Sequence, residues 1–179
     1  MTARNLQGEE LLSGAPVALH DLLEAREQRA ARREAFVNGG GVIVSMSVVT
    51  PGAIKSCELS RRVGAAAEAA LETAFPGAER LFGAETVAGP EALFRIAGDP
   101  AEVKRATIAV ESGHPWGRLF DLDVYGSTNA FSRAEIGVPP RRCLVCGEPA
   151  KVCGRAKAHT AEALSSALLR IFLGCEALS

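Results

Sequence analysis

The segment Phe120-Asp121-Leu122-Asp123-Val124-Tyr125 alternates strictly, with Phe120, Leu122 and Val124 on one parity and Asp121, Asp123 and Tyr125 on the other. Successive side chains of a strand point to opposite faces, so this pattern predicts a strand with one apolar face and one face carrying two carboxylates. Aspartate is depleted in strands, so two of them separated by one residue ask for a reason.

The elements around this strand are legible from periodicity and punctuation. Residues 19–37, LHDLLEAREQRAARREAFV, place Leu19, Leu22, Leu23, Ala30 and Phe36 or Val37 at helical spacing. Asn38-Gly39-Gly40-Gly41 stops that helix, and residues 42–49, VIVSMSVV, predict a β-branched strand bounded by Thr50-Pro51-Gly52. An alanine-rich helix follows over residues 58–75, ended by Pro76-Gly77. Residues 85–88 and 92–97 predict a hairpin turning at Gly89-Pro90-Glu91. Asp99-Pro100 opens a helix to about Ser112, a cap residue followed by proline at the first helical position. Ala130 to Arg133 predicts a short return strand, and residues 159–173 a closing helix.

This order lacks the regular alternation of a doubly wound sheet and contains no internal repeat. It predicts an α+β fold: a small, mostly antiparallel mixed sheet flanked by helices. At 179 residues the chain is long enough for one real core. Residues 1–18 read as a poorly ordered N-terminal extension, and residues 19–179 as a single domain that includes a cysteine-containing segment at 141–159.

Lys and Arg total 20 against 21 Asp and Glu, which excludes a global basic coat for nucleic acid. The first eighteen residues carry Arg4, Glu9 and Glu10 and do not resemble an export signal, and no apolar run is long enough to span a bilayer. Five cysteines, three of them close together, suit a reducing cytoplasmic setting better than a disulfide framework.

Two carboxylates on one face of a strand lie roughly 7 Å apart and suit Mg²⁺, which takes hard oxygen ligands shared with substrate phosphates. Just ahead of them stand His114-Pro115-Trp116-Gly117-Arg118, with the only tryptophan of the chain. Gly117 admits a phosphate close to the backbone, and Arg118 offers a fork for its oxygens. A strand with its polar face in water would show the same aspartates.

Cys143, Cys146, Cys153 and His159 form a C-x2-C-x6-C-x5-H pattern that suits tetrahedral structural zinc. Reduced thiols beside a helix start are the alternative. From Arg133 to Lys157 six basic residues face two acidic ones, a local patch suited to a polyphosphate or an acidic protein surface. Neither a nucleophile elbow nor a P-loop occurs.

Taken together, LLEAREQRAARR, VVTPGAIK, ELSRR, ATIAVESGHPWGRLFDLDV and VPPRRCLVCGEPAKVCGRAKAH resemble one family. It is the holo-acyl-carrier-protein synthase of citrate lyase, also called apo-citrate lyase phosphoribosyl-dephospho-CoA transferase, and the resemblance runs from about Leu19 to Leu173.

The resemblance implies a nucleotidyltransferase-like fold and a transferase. The donor would be 2′-(5″-triphosphoribosyl)-3′-dephospho-CoA, the acceptor a serine of the apo acyl carrier protein subunit of citrate lyase, and the by-product pyrophosphate. No nucleic acid and no membrane enters that reaction. It implies Asp121 and Asp123 as holders of Mg²⁺, one of them also as base, with Glu135 on the neighbouring strand as a third acidic ligand. Gly117 and Arg118 would line the triphosphate, with Arg61, Arg62, Arg141 and Arg142 as further contacts and Lys55 and His114 as weaker candidates. Two other readings stand beside it: the equivalent enzyme of malonate decarboxylase, and a non-catalytic zinc-stabilised module that binds an acidic carrier protein.

Overall fold

A computed structural model describes residues 8–127 and 129–176, with the side chains of Cys175 and Glu176 left aside. The elements in chain order are helices α1 (Gly8–Leu11) and α2 (Leu19–Val37), strand β1 (Val42–Val48), helix α3 (Glu58–Ala74), and strands β2 (Glu79–Thr86) and β3 (Gly89–Ile96). Helix α4 (Pro100–Gly113), a 3₁₀ turn (Gly117–Leu119), strands β4 (Phe120–Tyr125) and β5 (Ala130–Phe131), a second 3₁₀ turn (Ala134–Ile136), and helices α5 (Ala150–Ala156) and α6 (Ala161–Glu176) complete it.

The fold is α+β, built on one open five-stranded sheet in the order β2-β3-β1-β4-β5 with every neighbouring pair antiparallel. One sheet face is the core. Val42, Val44, Met46 and Val48 of β1, Phe94 and Ile96 of β3, and Phe120, Leu122 and Val124 of β4 are buried there. They pack against Leu59, Val63, Ala67 and Leu71 of α3, Val103 of α4, and Leu168 and Phe172 of α6. The other face is apolar at one end only, where Ile43, Leu93 and Tyr125 meet Phe36 and Val37 of α2. Register puts Asp121 across from Ser47, Asp123 across from Ser45, and Glu91 on the far side of Ser47. The alternation of β4 is thus realised: apolar residues in the core, aspartates on a polar face.

Local chemistry fixes the ends. The Asp99 carboxylate accepts from the N–H groups of Ala101 and Glu102, with Pro100 at the first turn of α4. The Thr160 hydroxyl accepts from the Ala163 N–H and starts α6 two residues later than the periodicity predicts.

The hairpin differs from expectation. It turns at Val87 and Ala88, and Gly89, Pro90 and Glu91 lie inside β3, paired with Thr86, Glu85 and Ala84. Gly89 takes φ +94°, and a Cβ there would stand 2.7 Å from the Lys55 carbonyl oxygen, so only glycine starts the strand at this point. Periodicity missed residues 79–84 of β2, where the register slips between Arg80 and Phe82.

Residues 1–7 of the expected N-terminal extension, and Thr128 of the turn after β4, lie outside the described residues. Residues 8–18 are in contact with the rest of the fold: Leu11 is buried in the core and Pro16 bridges Ile54. Among the described residues, no helix is long and apolar enough to cross a membrane.

Candidate active site

β4 has a free edge over its first half, because β5 pairs only with Val124 and Tyr125. Three side chains take the place of a strand there. Lys104 of α4 donates to the Leu122 carbonyl at 3.0 Å, Glu111 of α4 accepts from the Leu122 N–H at 3.3 Å, and Arg141 donates to the Phe120 carbonyl at 2.8 Å. Buried backbone groups need partners, and these substitutes hold the aspartate strand rigid where the ladder stops.

Glu111 is the hub. Its carboxylate is buried, and it pairs with the guanidinium of Arg133 at 2.6 Å and with that of Arg141. A buried carboxylate with two arginines and a backbone donor is satisfied on all sides. Arg141 then extends its other nitrogen to within 3.8 Å of Asp121.

These residues border an open cleft of about 700 Å³ between the end of α4 and the segment 138–142. Arg118, Arg133, Arg141 and Arg142 line it, with His114 and Glu111. Arg118 is partly buried, and its charge is held against burial and against the neighbouring Arg141, both of which lower its pKa. Its guanidinium donates to the Arg142 carbonyl. One buried carboxylate does not neutralise four arginines, so the cleft is a cationic pocket suited to a polyanion.

Asp121 and Asp123 stand beside this cleft, on the sheet face reached over the β4 edge. Asp121 is half exposed and accepts from the Ser47 hydroxyl at 3.5 Å. Asp123 is solvent-exposed as a residue, while the protein atoms around its carboxyl still partly desolvate it. Burial pushes its pKa up, the Asp121 charge adds to that, and Lys104 and Arg141 oppose it. Such a like-charge pair favours a nearby positive charge, which Arg141 and Lys104 supply in part.

Of the other candidates only His114 lines the cleft. Gly117 is buried with its Cα against α4: a Cβ would stand 2.3 Å from the Glu111 carbonyl oxygen, which gives this glycine a packing reason. His114 accepts from the Trp116 N–H through Nδ1 at 3.0 Å and leans on Phe120, and burial lowers its pKa, so it is neutral with its proton on Nε2. Arg61 pairs with Glu85 and Glu58, and Arg62 lies over the stacked rings of Trp116 and Phe172. Both are on α3 and neither lines the cleft. Lys55 donates to the Thr50 carbonyl, and burial, then Arg26, lowers its pKa. Glu135 is on the 3₁₀ turn after β5, not on a strand, because its carboxylate accepts from the Ser132 N–H at 2.6 Å and winds that turn. The sequence reading missed Glu111 and Lys104. In sequence each reads only as a charged residue of the helix opened by Asp99-Pro100, and their burial appears only in the fold.

The Cys143, Cys146, Cys153 and His159 donors lie within 4.8 Å of one another, with Cys146 Sγ 3.5 Å from Cys153 Sγ and 3.4 Å from His159 Nε2. Among the described residues this is the only group of three or more such ligands. Burial pushes the Cys143 thiol up, but the N–H groups of Cys146 and Val145 and the adjacent thiols outweigh it and bring it to about 6. Four such atoms can hold a metal ion.

The family model described as apo-citrate lyase phosphoribosyl-dephospho-CoA transferase matches residues 17–173. A protein of that name from Escherichia coli O9:H4 (strain HS) is 41% identical over 157 residues, covering 84% of this chain and 85% of the relative. Another, from Escherichia coli O1:K1 / APEC, is 38% identical over 156 residues with the same coverage. The matched span takes in the β4 strand, the arginine cleft and the cysteine group together, and the chain belongs to the apo-citrate lyase phosphoribosyl-dephospho-CoA transferase family.

Proposed function

We propose that this chain is a transferase that moves the phosphoribosyl-dephospho-CoA group from 2′-(5″-triphosphoribosyl)-3′-dephospho-CoA to a serine of the apo acyl carrier protein subunit of citrate lyase, releasing pyrophosphate. The observation that carries it is the junction at Arg141, where a four-arginine cleft meets the Asp121–Asp123 pair. Family membership supports the substrate class.

Arg118, Arg133 and Arg142 hold the terminal two phosphates and neutralise the charge that collects on leaving pyrophosphate. Arg141, braced by Glu111, holds the phosphate nearest the ribose beside Asp121. When bound by the two aspartates, Mg²⁺ supplies charge neutralisation at the reacting phosphate. Asp123 is the better base of the pair, because burial raises its proton affinity, and it takes the serine proton as the oxygen attacks. The serine oxygen forms the new bond to phosphorus as the bond to pyrophosphate breaks.

The open sheet with helices on its core face supports a nucleotidyltransferase-like fold, with one transferase domain working in the cytoplasm. The Cys₃His group takes zinc in preference to Mg²⁺, because thiolates are soft ligands.

The test is incubation with donor and apo carrier protein. Mass spectrometry is expected to show the phosphoribosyl-dephospho-CoA group on one serine, with one pyrophosphate released per adduct. No adduct with a competent donor overturns the assignment. An adduct formed equally well by Asp121→Asn and Asp123→Asn keeps the activity and overturns the carboxylate mechanism.

A further inference from the structure

The Cys₃His group brackets the arginine wall of the cleft. Cys143 directly follows Arg142, and Cys153 lies on α5, which begins after Pro149. The backbone between them closes on itself. The Cys143 N–H donates to the Glu148 carbonyl at 2.8 Å, the Ala150 N–H to the Arg141 carbonyl at 2.8 Å, and Arg142 bridges Pro149. The Arg142 side chain folds onto the same loop, donating to the Gly147 carbonyl at 2.7 Å, and its own carbonyl accepts from Arg118.

What holds this loop is not an apolar core. From residue 131 to residue 160, Cys153 is the only buried residue. A segment this long with a single buried side chain forfeits conformational entropy on ordering and recovers little from burial. A metal bound by four residues of the loop supplies what the missing core does not. Four donors about 2.0–2.3 Å from one tetrahedral zinc ion stand about 3.5–4 Å apart. The 3.4 and 3.5 Å separations around Cys146 agree with that.

We infer that a zinc ion on Cys143, Cys146, Cys153 and His159 fixes the Arg141–Arg142 wall in place, so that zinc occupancy sets the affinity of the cleft for polyphosphate. The inference rests on the reading of the cleft as the triphosphate site. The zinc is a positioning device: it touches neither the substrate nor the aspartates. Its loss releases the loop, takes Arg142 away from Arg118, and leaves Arg141 tied only through Glu111 and β4.

The protein purified without chelator is expected to hold about one zinc per chain by atomic emission. Inorganic triphosphate, with magnesium in excess, is titrated into the zinc-loaded, zinc-stripped and zinc-restored protein by calorimetry, with far-ultraviolet circular dichroism recorded for each. Stripping is expected to weaken triphosphate at least about tenfold with the spectrum retained, and one equivalent of zinc to restore it. Equal affinity with and without zinc overturns the inference alone, as does zinc below about one tenth per chain. Triphosphate bound by neither form overturns the reading of the cleft and the inference with it.

Where the stripped protein loses its spectrum, the cobalt(II)-loaded protein carries the test, since it keeps a metal throughout. Its thiolate–cobalt absorption is expected to shift at saturating magnesium triphosphate, and not in Arg142→Ala. No shift in the wild-type chain, or a shift that persists in Arg142→Ala, overturns the inference.

Discussion

Arg141 stands 3.8 Å from Asp121 through one guanidinium nitrogen while its other nitrogen pairs with buried Glu111. The charge that would meet a phosphate is therefore tied to the acid that would hold its metal. Glu111 is buried at the cleft wall, and its task is to place two arginines and one backbone N–H.

Glu111→Ala is expected to destabilise the fold by about 3–5 kcal/mol, because it leaves the half-buried Arg133 and Arg141 without their acid and orphans the Leu122 N–H. Urea denaturation measures this. A change below about 1 kcal/mol would show that the arginines find water instead, and that the hub is not structural.

Lys104→Ala removes a buried ammonium and leaves the Leu122 carbonyl without its donor, at an expected cost of about 1–3 kcal/mol. The burial that lowers the Lys104 pKa offsets part of the loss, since the charged group is itself costly to bury. Lys104→Met, which fills the same space without the charge, is expected to lie closer to wild type in urea denaturation than Lys104→Ala.

Asp123 has its pKa raised by burial, then by Asp121, above the ordinary 3.8. A carboxyl bound more tightly to its proton in the folded state favours folding when protonated. That contribution is full below the unfolded pKa and is lost as pH rises through the higher folded pKa. Asp123→Asn lacks the ionisation, so the stability of the variant relative to wild type is expected to increase from pH 3 to pH 7. Denaturation midpoints across that range measure it, and a flat difference means that the Asp123 pKa is unshifted. In the same variant transfer is expected to be abolished at every pH.

The site was legible where chemistry follows local pattern. The alternation of Phe120 to Tyr125 gave strand, faces and aspartates together, and the cysteine spacing gave the ligand group. The supports of the site were hidden because they act over distance. Glu111 meets Arg141 across twenty-nine intervening positions of chain, and in α4 it reads as an ordinary polar residue near a helix end. The sequence reading puts Glu135 on the neighbouring strand, whereas its carboxylate accepts from the Ser132 N–H and turns the chain there. Gly117 reads in sequence as a glycine that admits a phosphate, and its close approach to the Glu111 backbone of α4 appears only once the fold brings the two together.

The arginines separate by place in the fold, and kinetics with the donor should separate them too. Arg142 lines the cleft and Arg118 donates to its carbonyl, so Arg142→Ala is expected to raise the donor KM at least about tenfold, the loss of one charge-assisted phosphate contact. Arg61 is exposed on α3 and already paired with Glu85 and Glu58, so Arg61→Ala is expected to change the donor KM less than about threefold. Arg62 covers the Trp116 and Phe172 rings, so Arg62→Ala is expected to lower the melting temperature while leaving KM near wild type. If Arg61→Ala and Arg142→Ala raise KM alike, the triphosphate lies toward α3 and not in the cleft. The ranking Arg142 far above Arg61 is what the cleft requires, because Arg142 lines it and Arg61 does not.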